Sequence, residues 1–130
     1  MPTLTPTLTL TSSDVTSDEL NFSVTDSLTV TAPSQSLSME IVTTTGGNHI
    51  IVPAATAIAY LFVRHTGTTD GSTGTAQLLD IEDTADVAFA RLGAGEWCFF
   101  PYNKAGGSVG VQLQSASGNI QAEYAFWTKG

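Results

Sequence analysis

One thiol, two imidazoles and a run of acids are the groups of this chain best able to do chemistry: Cys98, His49 and His65, and Asp80, Glu82, Asp83 and Asp86. Cys98 could serve as a nucleophile if a histidine stood beside it. It lies between Trp97 and Phe99 in an apolar run, where a thiol packs as a small hydrophobe. His49 and His65 could be bases or ligands, but no Cys/His set with metal spacing surrounds them. Each reads as a strand-end residue with a satisfied ring. The acids offer the oxygen ligands that calcium takes, yet their spacing matches no EF-hand and lacks its glycine. A solvated acidic turn is the preferred reading. Gly93-Ala94-Gly95 is too short for a phosphate loop and opens no clear helix. Asn21-Phe22-Ser23 is a glycosylation sequon, which matters only in a secreted chain. No serine elbow or carboxylate pair is legible. The expectation is a non-enzymatic protein with no catalytic residue, no metal and no cofactor.

Composition points the same way. The 130 residues suit one domain with a sizeable core. Charged residues make up 12%, about half the usual share. Threonine, serine, asparagine, glutamine and glycine must supply the polar surface. Threonine favours strands, and a helical bundle would instead carry Glu, Lys, Arg and Ala. The net charge is −8, and the basic residues are Arg64, Arg91, Lys104 and Lys129. Phosphate recognition needs a basic patch, so neither nucleic acid nor an anionic membrane is an expected partner. A single cysteine permits no intrachain disulfide. The N-terminus shows no secretory signal. The apolar run 50–63 contains Pro53 and falls short of the ~20 residues that span a bilayer. A soluble, cytosolically made chain is expected.

The elements that position these residues are predicted to be strands. The central stretch is 86–102, DVAFARLGAGEWCFFPY. It reads as strand, glycine turn, strand, with Pro101 ending the second strand by removing a ladder donor. Trp97 and Phe99 point to one face there, and Cys98 and Phe100 to the other. Two apolar faces predict cover on both sides. Alternation also marks strands at 20–24, 28–30, 37–43, 49–52, 57–65, 109–113 and 120–127. Turns are expected at 45–48, 103–107 and 117–119, and 66–75 reads as an exposed polar loop. Residues 75–92 fit either a helix started by Thr75 and stopped by Gly93, or strand, acidic turn, strand. The strand reading is favoured because both flanks are β. The predicted fold is all-β: an antiparallel β-sandwich or jelly-roll-like domain over residues 20–130, preceded by an extended N-terminal arm, residues 1–19. In that arm Leu4, Leu8 and Leu10 alternate with threonine, while Pro2 and Pro6 suit an edge. Too few large apolar groups are present for the arm to fold alone. The segment reads either as a mobile tail or as an arm that orders on a neighbouring subunit's sheet edge or on the shell, and deletion of residues 2–12 is expected to spare the β-domain while weakening assembly or particle binding.

AYLFVRHTG (59–67), ARLGAGEWCFFP (90–101) and GNIQAEYAFWTKG (118–130) resemble small virion structural proteins of tailed bacteriophages. In those proteins a strand ending like YLYVKNT precedes an L-x-PGE-aromatic hairpin, and a Tyr- and Trp-rich strand closes the chain. Residues 8–33 are more weakly similar to the family's front end. His65 stands where asparagine is expected, and Ala94 where proline is. The resemblance implies a virion component, with a capsid cement or decoration protein as the first reading. Its implied partners are other virion proteins such as the major capsid protein, and a homo-oligomer, by analogy a trimer. The expected interface residues are Leu4, Leu8, Leu10, Trp97, Phe99 and Trp127. The alternative is a glycan- or receptor-binding β-sandwich on a phage tail or fibre, with exposed Tyr or Trp as stacking platforms. The position of Trp97 and Trp127 separates the two. Rings buried in the core or at a subunit seam fit a structural role, and rings beside polar groups in an open groove fit sugar.

Overall fold

The structure is a computed structural model that describes residues 2–15, 17–33, 37–46, 49–54, 58–103 and 109–129. Among the described residues there is no helix, and the strands lie in antiparallel sheets. They are β1 (Thr3–Leu4), β2 (Thr7–Ser12), β3 (Leu20–Thr25), β4 (Leu28–Pro33), β5 (Ser38–Val42) and β6 (Ile50–Val52). There follow β7 (Ile58–His65), β8 (Leu79–Asp83), β9 (Ala88–Leu92), β10 (Trp97–Asn103), β11 (Val111–Ser115) and β12 (Ile120–Lys129). The expected all-β, sandwich-like fold is therefore present, and 75–92 takes the strand reading. The predicted turns at Gly47-Asn48 and 104–107 lie outside the described residues.

One sheet runs β1-β4-β12-β7-β10, and β5 joins the edge of β12 that β4 also uses. The other runs β6-β11-β8-β9. Alternation decides which side chains meet between them. Ala59, Leu61 and Val63 of β7, with Ile120, Ala122 and Phe126 of β12, face Leu79 and Ile81 of β8 and Val111 and Leu113 of β11. All but Phe126 are fully buried. His65 is buried in line with them. Its Nε2–H donates to the Gln77 carbonyl at 2.9 Å, and its Nδ1 accepts the Gly67 N–H at 2.9 Å. That pair of bonds fixes the tautomer of a neutral ring. The sandwich closes beside β9, where a register shift after Ile81 turns Phe89 toward β10. Its ring lies 5.9 Å from Phe100, edge-on, and 6.2 Å from Tyr102.

Three expectations are corrected. The stretch 86–102 is no hairpin, because β9 pairs with β8 and β10 with β7, in different sheets. The glycine turn is a corner between layers. Gly93 N–H donates to the Glu96 carboxylate at 2.6 Å, and Gly95 N–H to the His65 carbonyl at 3.1 Å. Gly95 has φ +81°, a conformation cheap only for glycine. These bonds tie the corner to the end of β7, whose ladder β10 then fills. Second, Pro101 does not end its strand. β10 continues to Asn103, and Pro101 is tolerated because β10 is an edge whose second side needs no donor. Third, the strands of the N-terminal arm pair with their own chain. Thr3 faces Thr29, Leu4 faces Leu28, and Thr7–Ser12 face Thr25–Leu20 in one unbroken register. Asp26-Ser27 is thus a joint within one long hairpin. Its base belongs to the large sheet through β4, and its outer half is the two-stranded ribbon β2-β3. Deleting residues 2–12 would strip β3 of its partner and β4 of one of its two.

Candidate functional site

The outer face of the large sheet carries five of the chain's eleven aromatic rings, Tyr60, Phe62, Trp97, Phe99 and Trp127. The register of β10, β7 and β12 sets them in rows: Trp97, Arg64, Glu123; then Phe99, Phe62, Ala125; then Pro101, Tyr60, Trp127. The opposite residues of the same strands, Cys98, Phe100, Tyr124 and Phe126 among them, face the core. The two faces of β10 thus divide as its alternation predicts. Full cover of both is not found, because Trp97 is 54% exposed. Tyr60 and Phe99 stack with centroids 6.3 Å apart and planes 13° from parallel. The Lys129 ammonium sits 4.9 Å from the Tyr60 ring centre, where the ring quadrupole attracts it. Arg64 and Glu123 approach to 3.9 Å at the Trp97 end.

The base of the hairpin overhangs this face. Pro6, Thr7, Leu8, Val24, Asp26 and Leu28 form one wall of a groove of about 340 Å³, and Tyr60, Trp97, Phe99 and Pro101 form the other. Its polar groups are few and partly engaged. Thr7 Oγ1 shares a hydrogen bond of 2.9 Å with Thr25 Oγ1, and Asp26 Oδ1 accepts the Ser27 N–H at 2.7 Å. Such a lining takes apolar side chains by burial and offers little to orient a polar ligand. On the other side of the Trp97 ring lies a shallower depression of about 430 Å³, bounded by Phe62, Arg64, Gly95 and Glu123.

Of the expected interface residues, Leu8, Trp97 and Phe99 come together in the groove. Leu4 lies opposite Leu28 on β1, and Leu10 lies farther out on the ribbon, opposite Phe22. Trp127 shares the sheet face beside Tyr60 without lining the groove. Sequence reasoning missed Tyr60, Pro101, Val24 and Leu28. The alternation of Tyr60, Phe62 and Arg64 against Leu61 and Val63 was the available signal for the first.

The chemically capable groups lie elsewhere. Cys98 faces the core, and burial pushes its thiol pKa up against a smaller opposing backbone hydrogen bond with Val63. His49 Nδ1–H donates to Glu40 at 2.6 Å, and its Nε2 accepts the Thr43 N–H at 3.1 Å. Each of the four acids has a hydrogen-bond partner within the chain, and Glu82 and Asp86 share one. Asp80 takes a two-pronged Arg91 contact, Asp83 Oδ1 accepts the Ala85 and Val87 N–H groups, and Gln112 Nε2 donates to both Glu82 and Asp86. Among the described residues no group of three or more His, Cys, Asp or Glu side chains could hold a metal ion, and no helix is long and apolar enough to cross a membrane. In comparisons with known proteins, no family model matched the chain, and no curated protein or solved structure matched it significantly.

Proposed function

We propose that this protein is a non-enzymatic structural component of a tailed-phage virion, a capsid cement or decoration protein that reinforces the shell by docking on other virion subunits, the major capsid protein first among them. The docking surface is the aromatic outer face of the large sheet. The observation that carries this reading is the groove lined by Leu8, Val24, Tyr60, Trp97, Phe99 and Pro101. Its apolar lining favours a protein side chain over a polar substrate. Aromatic rings on a rigid strand make strong anchors, because they bury large area at small entropic cost. The virion assignment rests on the resemblance of 59–67, 90–101 and 118–130 to phage structural proteins. Co-sedimentation with particles stripped of this protein tests the reading. The wild-type chain is expected to pellet with them, and Trp97→Ser to bind at least tenfold more weakly, the loss of one anchor of ~1.4 kcal/mol or more. Absence of the protein from purified particles, or equal binding by the variant, would refute it.

A second reading, a glycan- or receptor-binding module on a tail or fibre, has one observation in its favour. The depression beside Trp97 sets an exposed ring next to Arg64 and Glu123. Quenching of Trp97 fluorescence by an oligosaccharide would support it over the first.

A further inference from the structure

The loop between β7 and β8 carries Asp70-Gly71. In an Asp-Gly pair a chain readily attacks itself, because no side chain crowds the glycine nitrogen. The Gly71 amide nitrogen adds to Asp70 Cγ, and a new N–Cγ bond forms. The amide proton and the carboxyl OH leave as water, and the product is a cyclic imide. A second water then opens the imide. Opening at the former backbone carbonyl leaves isoaspartate, in which the main chain runs through the side-chain carbon. Opening at the other carbonyl restores aspartate. The turn itself demands the glycine, since Gly71 has φ +93°.

Closure needs a protonated carboxyl, a free amide nitrogen and rotation of the Asp70 backbone. The loop opposes each. Asp70 Oδ1 accepts the Ser72 N–H at 2.9 Å, the Thr73 N–H at 2.8 Å and the Ser72 hydroxyl at 3.1 Å. Oδ2 accepts the Thr73 hydroxyl at 3.3 Å. These bonds favour the ionised form and hold the carboxyl down to about 2 instead of 3.8. At any pH above both values the acid form is then more than about tenfold rarer. The Gly71 N–H is engaged as well, donating to Thr68 Oγ1 at 3.0 Å. Backbone rotation is resisted from both ends of the turn. Thr69 N–H donates to the Thr73 carbonyl at 2.8 Å, and Thr75 N–H to the Gly67 carbonyl at 2.9 Å. Gln121 N–H, on β12, donates to the Thr68 carbonyl at 2.8 Å and anchors the loop there. We propose that Asp70-Gly71 is an isoaspartate-forming site, held shut in the folded chain by the hydrogen bonds on the Asp70 carboxylate and the Gly71 N–H. Isomerisation adds a carbon to the main chain and withdraws the carboxylate from the Ser72 and Thr73 N–H groups, so a modified loop cannot rebuild its turn. This chemistry is independent of any docking partner.

Ageing of the full chain in mildly acidic buffer, with and without urea, tests it. Peptide mapping by mass spectrometry reads isoaspartate at position 70 as a peptide of unchanged mass and altered elution. The native wild type is expected to isomerise about tenfold or more slowly than the urea-unfolded chain, the factor set by its scarcer acid form. Two variants, checked for folding by circular dichroism, remove the restraints separately. Thr68→Val takes the acceptor from the Gly71 N–H. Ser72→Ala/Thr73→Val takes both hydroxyls from the Asp70 carboxylate, at exposed positions that leave the fold intact. Each is expected to raise the native rate several-fold relative to its own rate in urea. A native wild-type rate equal to the rate in urea overturns the proposal. Folded variants that keep the wild-type ratio overturn it too, since rigidity of the loop as a whole would then give the protection. If Thr68→Val fails to fold, the Ser72→Ala/Thr73→Val result decides alone.

Discussion

Gly110 sits where a β-carbon would come within 1.9 Å of the Val52 carbonyl oxygen, a backbone atom with no freedom to swing away. Its N–H donates to Thr84 Oγ1 at 3.0 Å and its carbonyl accepts the Thr84 N–H at 3.2 Å, so the segment cannot slide aside cheaply. Gly110→Ala is expected to cost about 3 kcal/mol in urea unfolding, by forced displacement of β6 from β11. A cost within experimental error would show that the close approach is absent. Asp70 gives a pH test in the 66–75 loop. Backbone N–H groups of Thr73 and Ser72 hold its carboxyl down to about 2, with the Ser72 and Thr73 hydroxyls adding to them. A folded-state pKa below the ordinary value of 3.8 means a contribution that is complete above that value and is lost as pH falls through about 2. A carbon-detected NMR titration should show Asp70 still ionised at pH 3, with the loop's amide shifts unmoved. A midpoint near 4 would contradict the turn geometry. The need for glycine at position 110 was not legible in the sequence, because the contact joins residues far apart in the chain.

At the scale of elements, most strands were legible because one of their faces is buried and alternation then shows. β7 and β12 are the clearest, with Ala59, Leu61 and Val63 and with Ile120, Ala122 and Phe126 in the core. Pairing was less legible. Nothing local in 86–102 says that β9 and β10 belong to different sheets, since a glycine corner and a hairpin turn use the same residues. The Thr-Leu arm showed its alternation, but alternation does not name the partner strand. The ribbon and the core strands should differ in stability. β7 is hydrogen-bonded on both sides within the sandwich, while β2 and β3 have only each other. Amide exchange in dilute protein is expected to be fastest in Thr7–Ser12 and Leu20–Thr25 and slowest in Leu61–Val63 and Ala122–Phe126. Core-like protection of the ribbon would contradict this order.

The molecule as a whole is an acidic β-sandwich with one polar flank and one aromatic flank. The small sheet holds Asp80, Glu82 and Gln112 buried in satisfied polar pairs, while the large sheet turns out Tyr60, Phe62, Trp97, Phe99 and Trp127. That asymmetry was half visible beforehand. The two-faced strand at Trp97–Phe100 was evident, but which face stays open depends on the sheet that packs against it. A net charge of −8 keeps copies apart except where charge is absent or opposed. The aromatic flank is such a place, and the proposed role depends on its being covered in the assembled particle. Cryo-electron microscopy of the purified particle tests this most directly. The account predicts density for this sandwich on the shell, with the Trp97–Phe99–Tyr60 face buried against another virion subunit and the small sheet on the side away from it. A particle without that density, or one in which the aromatic face points to solvent, would contradict it.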